Sequence, residues 1–118
     1  MSKKCIVLVS SIVIKHEQNS QITRLQQIFR GNKIAHEEID CALEENRLLR
    51  DKFISVSGLR GLYPQVFLQD KETDEIQFIG NFDRIQELNE LNDVSAELLQ
   101  VEKTEDLLSV FMDVEKIA

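Results

Sequence analysis

The stretch from Gly61 to Asp83 constrains the chain most. It holds the single proline of the 118 residues, then two short apolar runs split by a charged loop, then a Gly-Asn pair at the head of a helical pattern. Val66–Leu68 and Ile76–Ile79 are β-branched and aromatic with turn residues on either side, so they predict two strands of a hairpin. Pro64 stands at the entrance of the first strand, where a missing N–H does least harm. Gly80 and Asn81 stop the second strand. Asn81 or Asp83 then caps a helix whose inward positions are Phe82, Ile85 and Leu88.

The rest of the chain fits around this hairpin. Cys5–Val9 is an unbroken apolar run, as expected of a central strand buried on both faces. From Ser20, residues Ile22, Leu25, Ile28 and Phe29 share one helical face, and Gly31-Asn32 ends the helix. Ile34–Ile39, with Glu37 and Glu38 inside it, predicts an edge strand protected by charge, completing a right-handed βαβ unit. Asp40 is expected to cap a second helix over Ala42–Phe53, with Leu43, Leu48, Leu49 and Phe53 inward. Ser55–Leu62 is expected as a loop. After the helix from Asp83 to about Leu91, Val94–Val101 predicts another short helix. Thr104 is expected to cap a last one, with Leu107, Leu108, Phe111, Val114 and Ile117 along one face. No repeat or linker divides the chain, and 42% hydrophobic content over this length is enough for one core, so residues 1–118 are expected to form one domain.

Charge and composition narrow the function classes. The formal net charge is −7, but the first 36 residues set Lys3, Lys4, Lys15, Arg24, Arg30 and Lys33 against Glu17 alone. The overall acidity argues against nucleic acid as the main partner, because phosphate binding needs clustered Lys and Arg; a positive patch from the first third is the one reservation. No window nears the roughly 18 apolar residues of a membrane span, and the five after Met-Ser-Lys-Lys are fewer than a secretion signal requires. A cytoplasmic protein with no membrane partner is therefore expected. Cys5 and Cys41 are then reduced thiols, too far apart in sequence for a redox motif or a zinc knuckle. Neither His16 nor His36 has a ligand-type partner at i+3 or i+4, so no metal is expected.

The order strand, helix, strand, helix, strand, strand, helix gives an α/β fold, a four-stranded mixed sheet flanked by helices, in the thioredoxin-like architecture of glutaredoxin form, with extra C-terminal helices. At Asn32-Lys33-Ile34, Glu37-Glu38 with Asp40, Glu44-Glu45-Asn46-Arg47, Pro64-Gln65-Val66-Phe67 and Gly80 with Phe82-Asp83, the sequence resembles the SH3-domain-binding glutamic-acid-rich-like family, a redox-inactive branch of the glutaredoxins. The resemblance covers about residues 5–94 and leaves 95–118 as a helical extension. It implies a cis Tyr63–Pro64 bond and a ligand edge made by the first loop (Lys15, His16), Tyr63-Pro64, and Gly80, Asn81, Phe82 and Asp83.

Two departures qualify what carries over. The proline-rich run that presents a PxxP ligand to SH3 domains is missing, and one proline cannot supply that motif. At the positions of the glutaredoxin Cys-x-x-Cys stand about Lys15, His16, Glu17 and Gln18, which cannot form a disulfide. Cys41 follows from its place in the chain as a packing residue on the opposite side of the fold from this edge. Gly80–Asp83 resembles the corner with which glutaredoxins hold the γ-glutamyl carboxylate of glutathione, although Asn81 brings a Cβ where a second glycine would leave space; a plain helix cap is the alternative. The expected function is a non-catalytic interaction or regulatory module with an unidentified protein partner and no cofactor. A glutathione-dependent oxidoreductase or transferase, and a homodimeric scaffold built on the C-terminal helices, are the two alternatives.

Overall fold

A computed structural model describes residues 2–12, 16–91 and 106–116, with side chains from residue 18 in the second of these segments. Its elements are β1 (Lys3–Val9), α1 (His16–Gly31), β2 (His36–Asp40), a 3-10 turn (Glu44–Asn46), α2 (Arg47–Ser57), β3 (Gln65–Asp70), β4 (Ile76–Asn81), α3 (Phe82–Leu91) and a single-turn α4 (Leu107–Val110). The strands form one mixed sheet in the order β2-β1-β3-β4. β1 and β2 are parallel, and β3 runs antiparallel to both β1 and β4. The apolar run of β1 lies in the interior of the sheet and the glutamate-bearing β2 lies at its edge, as the residue pattern predicts. The Tyr63–Pro64 bond is cis.

Strand alternation divides the core in two. Cys5 and Val7 of β1, with Val66 and Leu68 of β3, meet Leu25, Ile28 and Phe29 of α1 and Ile85 and Leu88 of α3. On the other face, Ile6, Leu8 and Phe67 meet Phe53 and Ile54 of α2. Edge-to-face rings anchor each half: Phe29 with Phe111 at 5.4 Å between centroids, and Phe53 with Phe67 at 5.1 Å.

Three helices differ from the expectation, the first being α1, which begins at His16, four residues before the expected Ser20. α2 begins at Arg47 and ends at Gly58, whose φ of 73° and N–H to the Ile54 carbonyl (2.7 Å) close it four residues later than predicted. Asp40 does not cap it: its carboxylate accepts from Ser11 N–H and Ala42 N–H instead. With Phe53 and Ile54 aimed at the sheet, the 100° step per residue turns Leu49 to the flank and Leu48 away from the sheet, so both are exposed; Leu43, extended and ahead of the 3-10 turn, lies outside the helix and is exposed too.

At the C-terminus, Asp106, not Thr104, caps the last helix, accepting from Ser109 N–H at 2.8 Å. The helix stops after one turn, because the chain is then drawn into main-chain pairing. Lys3 N–H donates to the Asp113 carbonyl at 3.0 Å and Ala35 N–H to the Glu115 carbonyl at 3.1 Å, with bridges Lys3–Val114 and Ile34–Lys116. Of the predicted stripe, Leu107, Phe111 and Val114 are buried against α1 and α3, while Leu108 is exposed. Ile117, Thr104 and the helix expected over 94–101 lie outside the described residues. Among the described residues, no helix is long and apolar enough to cross a membrane.

Candidate functional site

Sheet register assembles the site. Val9 of β1 is level with Asp40 of β2, Leu8 is level with Gln65 of β3, and Gln65 is level with Asn81 of β4. One row across this end of the sheet therefore runs Asp40, Val9, then Pro64 and Phe82 just beyond the paired strands. Ser10, Ser11, Cys41, Tyr63 and Asp83 follow directly on it. The proline and the Gly80–Asp83 corner, distant in sequence, are neighbours here. Pro64 is buried, Tyr63 and Phe82 are half-buried, and Asn81 and Asp83 are exposed. Lys15 and the side chain of His16 lie outside the described residues; the backbone of His16 opens α1.

A polar network holds the loop that delivers Tyr63 and Pro64. Gln65, fully buried, accepts from the Ser57 hydroxyl at 2.7 Å and donates through Nε2 to the carbonyls of Leu62, at 2.7 Å, and Leu59. Sequence inspection passes over this glutamine because its role depends on where the preceding helix ends.

Cys41 stands at this edge and not on the opposite side of the fold. Because β2 runs parallel to β1, its C-terminal end arrives beside Val9, and Cys41 N–H donates to the Val9 carbonyl at 2.8 Å. The Tyr63 hydroxyl interacts with the Cys41 thiol, and Arg50 lies near both. Burial pushes the Cys41 thiol up, more than the Tyr63 hydrogen bond and the Arg50 charge draw it down. Burial, followed by the neighbouring thiol, raises the Tyr63 phenol to about 12. At neutral pH both groups are protonated, so the thiol at this edge is not a prepared nucleophile. Cys5, deep in β1, is raised further still by burial.

The Gly80–Asp83 corner works as a helix cap. The Asn81 side-chain oxygen accepts from Arg84 N–H at 3.2 Å, which settles the choice between Asn81 and Asp83. At Gly80, φ is 156° and a Cβ would fall 2.5 Å from the Cβ of Arg84, so only glycine fits beneath the first turn of α3. One first-turn N–H is thus already satisfied within the chain.

Asp40 ties two loops together. Its Oδ1 accepts from Ser11 N–H (2.9 Å) and Ala42 N–H (3.0 Å), while its main-chain carbonyl accepts from Asn46 (3.0 Å). Partial burial works to raise its pKa, but the Ser11 and Ala42 donors together outweigh it and hold the carboxyl below the usual range. A depressed folded-state pKa gives stability that is present above the ordinary carboxylate value of about 3.9 and is lost as pH falls through the folded value. Asp40→Asn should therefore flatten the acid limb of a stability-versus-pH curve measured by thermal melting. Parallel acid limbs in the two proteins would show that Asp40 bears no such linkage.

Among the described residues, three cavities lie away from this edge. One of about 120 Å³ sits at the start of β1 between Lys3, Cys5, His36 and Val114, and another of about 250 Å³ lies beside β2 between Arg30, His36 and Glu38. Among the described residues, no group of three or more His, Cys, Asp or Glu side chains could hold a metal ion. No protein-family model matches the sequence, and a search of curated proteins finds no match.

Proposed function

We propose that this chain is a thioredoxin-like domain of the glutaredoxin form, akin to the SH3-domain-binding glutamic-acid-rich-like proteins, that works as a non-catalytic interaction or regulatory module. The strand order and the parallel β1–β2 pair support the fold. One observation carries the function: at the edge where the architecture places its chemistry, the Cys41 thiol is buried, and burial raises its pKa against the opposing pull of Tyr63 and Arg50. The edge then serves recognition, with Tyr63, Pro64, Asn81, Phe82 and Asp83 as its contact surface and a protein as its partner.

The glutathione-dependent alternative requires a reactive thiol, and the scaffold alternative requires a free C-terminal stripe, whereas Leu107, Phe111 and Val114 are covered within the chain. A glutathione-coupled disulfide-reduction assay, run beside capture of binding proteins with the wild type and with Tyr63→Ala, tests the reading. Background turnover is expected, together with a captured protein that the Tyr63→Ala variant loses. Turnover that disappears in Cys41→Ser would establish the oxidoreductase instead.

A further inference from the structure

β4 is an outer strand, and register shows which of its main-chain groups face away from the sheet. Asp70 N–H donates to the Glu75 carbonyl at 2.9 Å, and the pairs Leu68–Gln77 and Phe67–Phe78 continue from there. Alternation turns Glu75 and Gln77 toward β3, and Ile76 and Phe78 outward. The shift between Val66 and Phe67 makes Ile79 a bulge. The residues from Ile76 to Phe82 are uncharged, whereas the opposite edge strand, β2, carries Glu37, Glu38 and Asp40 among its five residues. The β2 edge repels a like edge, and the β4 edge does not.

We propose that the β4 edge is a homodimer interface, on which a second copy of this chain pairs its own β4 antiparallel about a two-fold axis through Gln77. In that register Ile76 faces Phe78 of the other copy, and Phe78 faces Ile76. Both are outward residues, so each pair exchanges two main-chain hydrogen bonds. Their side chains lie on the α2 face and are half-buried in the single chain, so the seam gains an aromatic and β-branched pair on either side of the axis. Gln77 meets Gln77 on the other face.

The neighbouring registers are worse. Centring on Ile76 sets Phe78 against Asp74, a turn residue at φ 62°, and centring on Phe78 sets Ile76 against Gly80, beyond the bulge. Charge agrees with the choice, since Glu75 falls opposite Ile79 and Asp74 opposite Gly80. No carboxylate meets another along the seam, although the chain carries a net charge of −7.

Gln77 is exposed, so its substitution leaves the fold intact, and its position on the axis makes it the diagnostic residue. Wild-type protein in sedimentation equilibrium should rise from 13.7 kDa toward twice that mass with concentration. Gln77→Lys and Gln77→Glu should each weaken association at least about tenfold by setting like charges opposite one another, and an equimolar mixture of the two should restore it. Exchange of the Ile76 and Phe78 amide hydrogens should slow with concentration in the wild type alone. A wild type that stays monomeric to about 1 mM overturns the proposal, and so does a dimer that Gln77→Lys leaves unchanged. Slow exchange of both amides in protein that sediments as a monomer would also overturn it, by showing that another part of the same chain covers the edge.

Discussion

Truncation after Lys103 should abolish cooperative unfolding or lower Tm by tens of degrees. The lost segment contains Leu107 and Phe111, both fully buried, and Val114, nearly so. Their partners include Phe29, whose ring meets Phe111 edge to face, and the α1 and α3 residues of the same cluster. The cut also removes Asp113 and Glu115, whose carbonyls accept from Lys3 and Ala35 at the start of the sheet. Phe111→Ala calibrates the effect. Emptying a buried phenylalanine site costs about 3–5 kcal/mol, which is a large share of the roughly 5–15 kcal/mol that holds a domain of this kind together. The truncation removes more apolar cover than that substitution, so it should cost at least as much. Denaturant unfolding of both proteins provides the check. A truncated chain that melts with the full one would mean that the last residues contribute nothing to the core.

The sheet was legible because its signals are local. Cys5–Val9 needs no partner to be read as an interior strand, and Glu37-Glu38 marks an edge wherever that strand falls. The Gly80-Asn81 pair announces both the close approach to Arg84 and the cap it supplies. What sequence reasoning misplaced depends on contacts between distant segments. Leu107, Phe111 and Val114, at i, i+4 and i+7, would share a face of a continuous helix, yet all three are buried although the helix stops. Here Lys3 and Ala35 decide that it stops, by offering their N–H groups to Asp113 and Glu115. Leu48 and Leu49 look like core residues until the sheet-facing positions of α2 are known to be Phe53 and Ile54. Cys41 belongs to the candidate edge because β2 runs parallel to β1, so the C-terminal ends of the two strands lie together, a placement that the βαβ unit expected from the sequence already implies.

Gln65→Leu should cost about 2–5 kcal/mol although it keeps the size of the side chain. Gln65 is fully buried at the head of β3, and its amide is the common partner of the Ser57 hydroxyl and of the Leu59 and Leu62 carbonyls. Leucine would fill the space but leave those carbonyls facing apolar surface, and each unsatisfied buried group costs about 1–3 kcal/mol. The loop freed in this way carries Tyr63 and Pro64, so the loss of stability should come with weaker capture of whatever protein the edge recognises. Gln65→Glu separates the hydrogen-bond argument from a packing one. Its carboxylate would be buried against two carbonyl oxygens, so its folded-state pKa would be raised above the unfolded value and the protein would be destabilised at neutral pH. Lowering the pH through that folded value protonates the group, which can then donate to one of the carbonyls, so stability should recover as pH falls, the reverse of the acid response of Asp40. Urea unfolding of both variants at pH 7 and pH 5 measures this. If Gln65→Leu stays within about 0.5 kcal/mol of the wild type, as ordinary surface substitutions do, the amide does not hold the loop and another contact must position Tyr63.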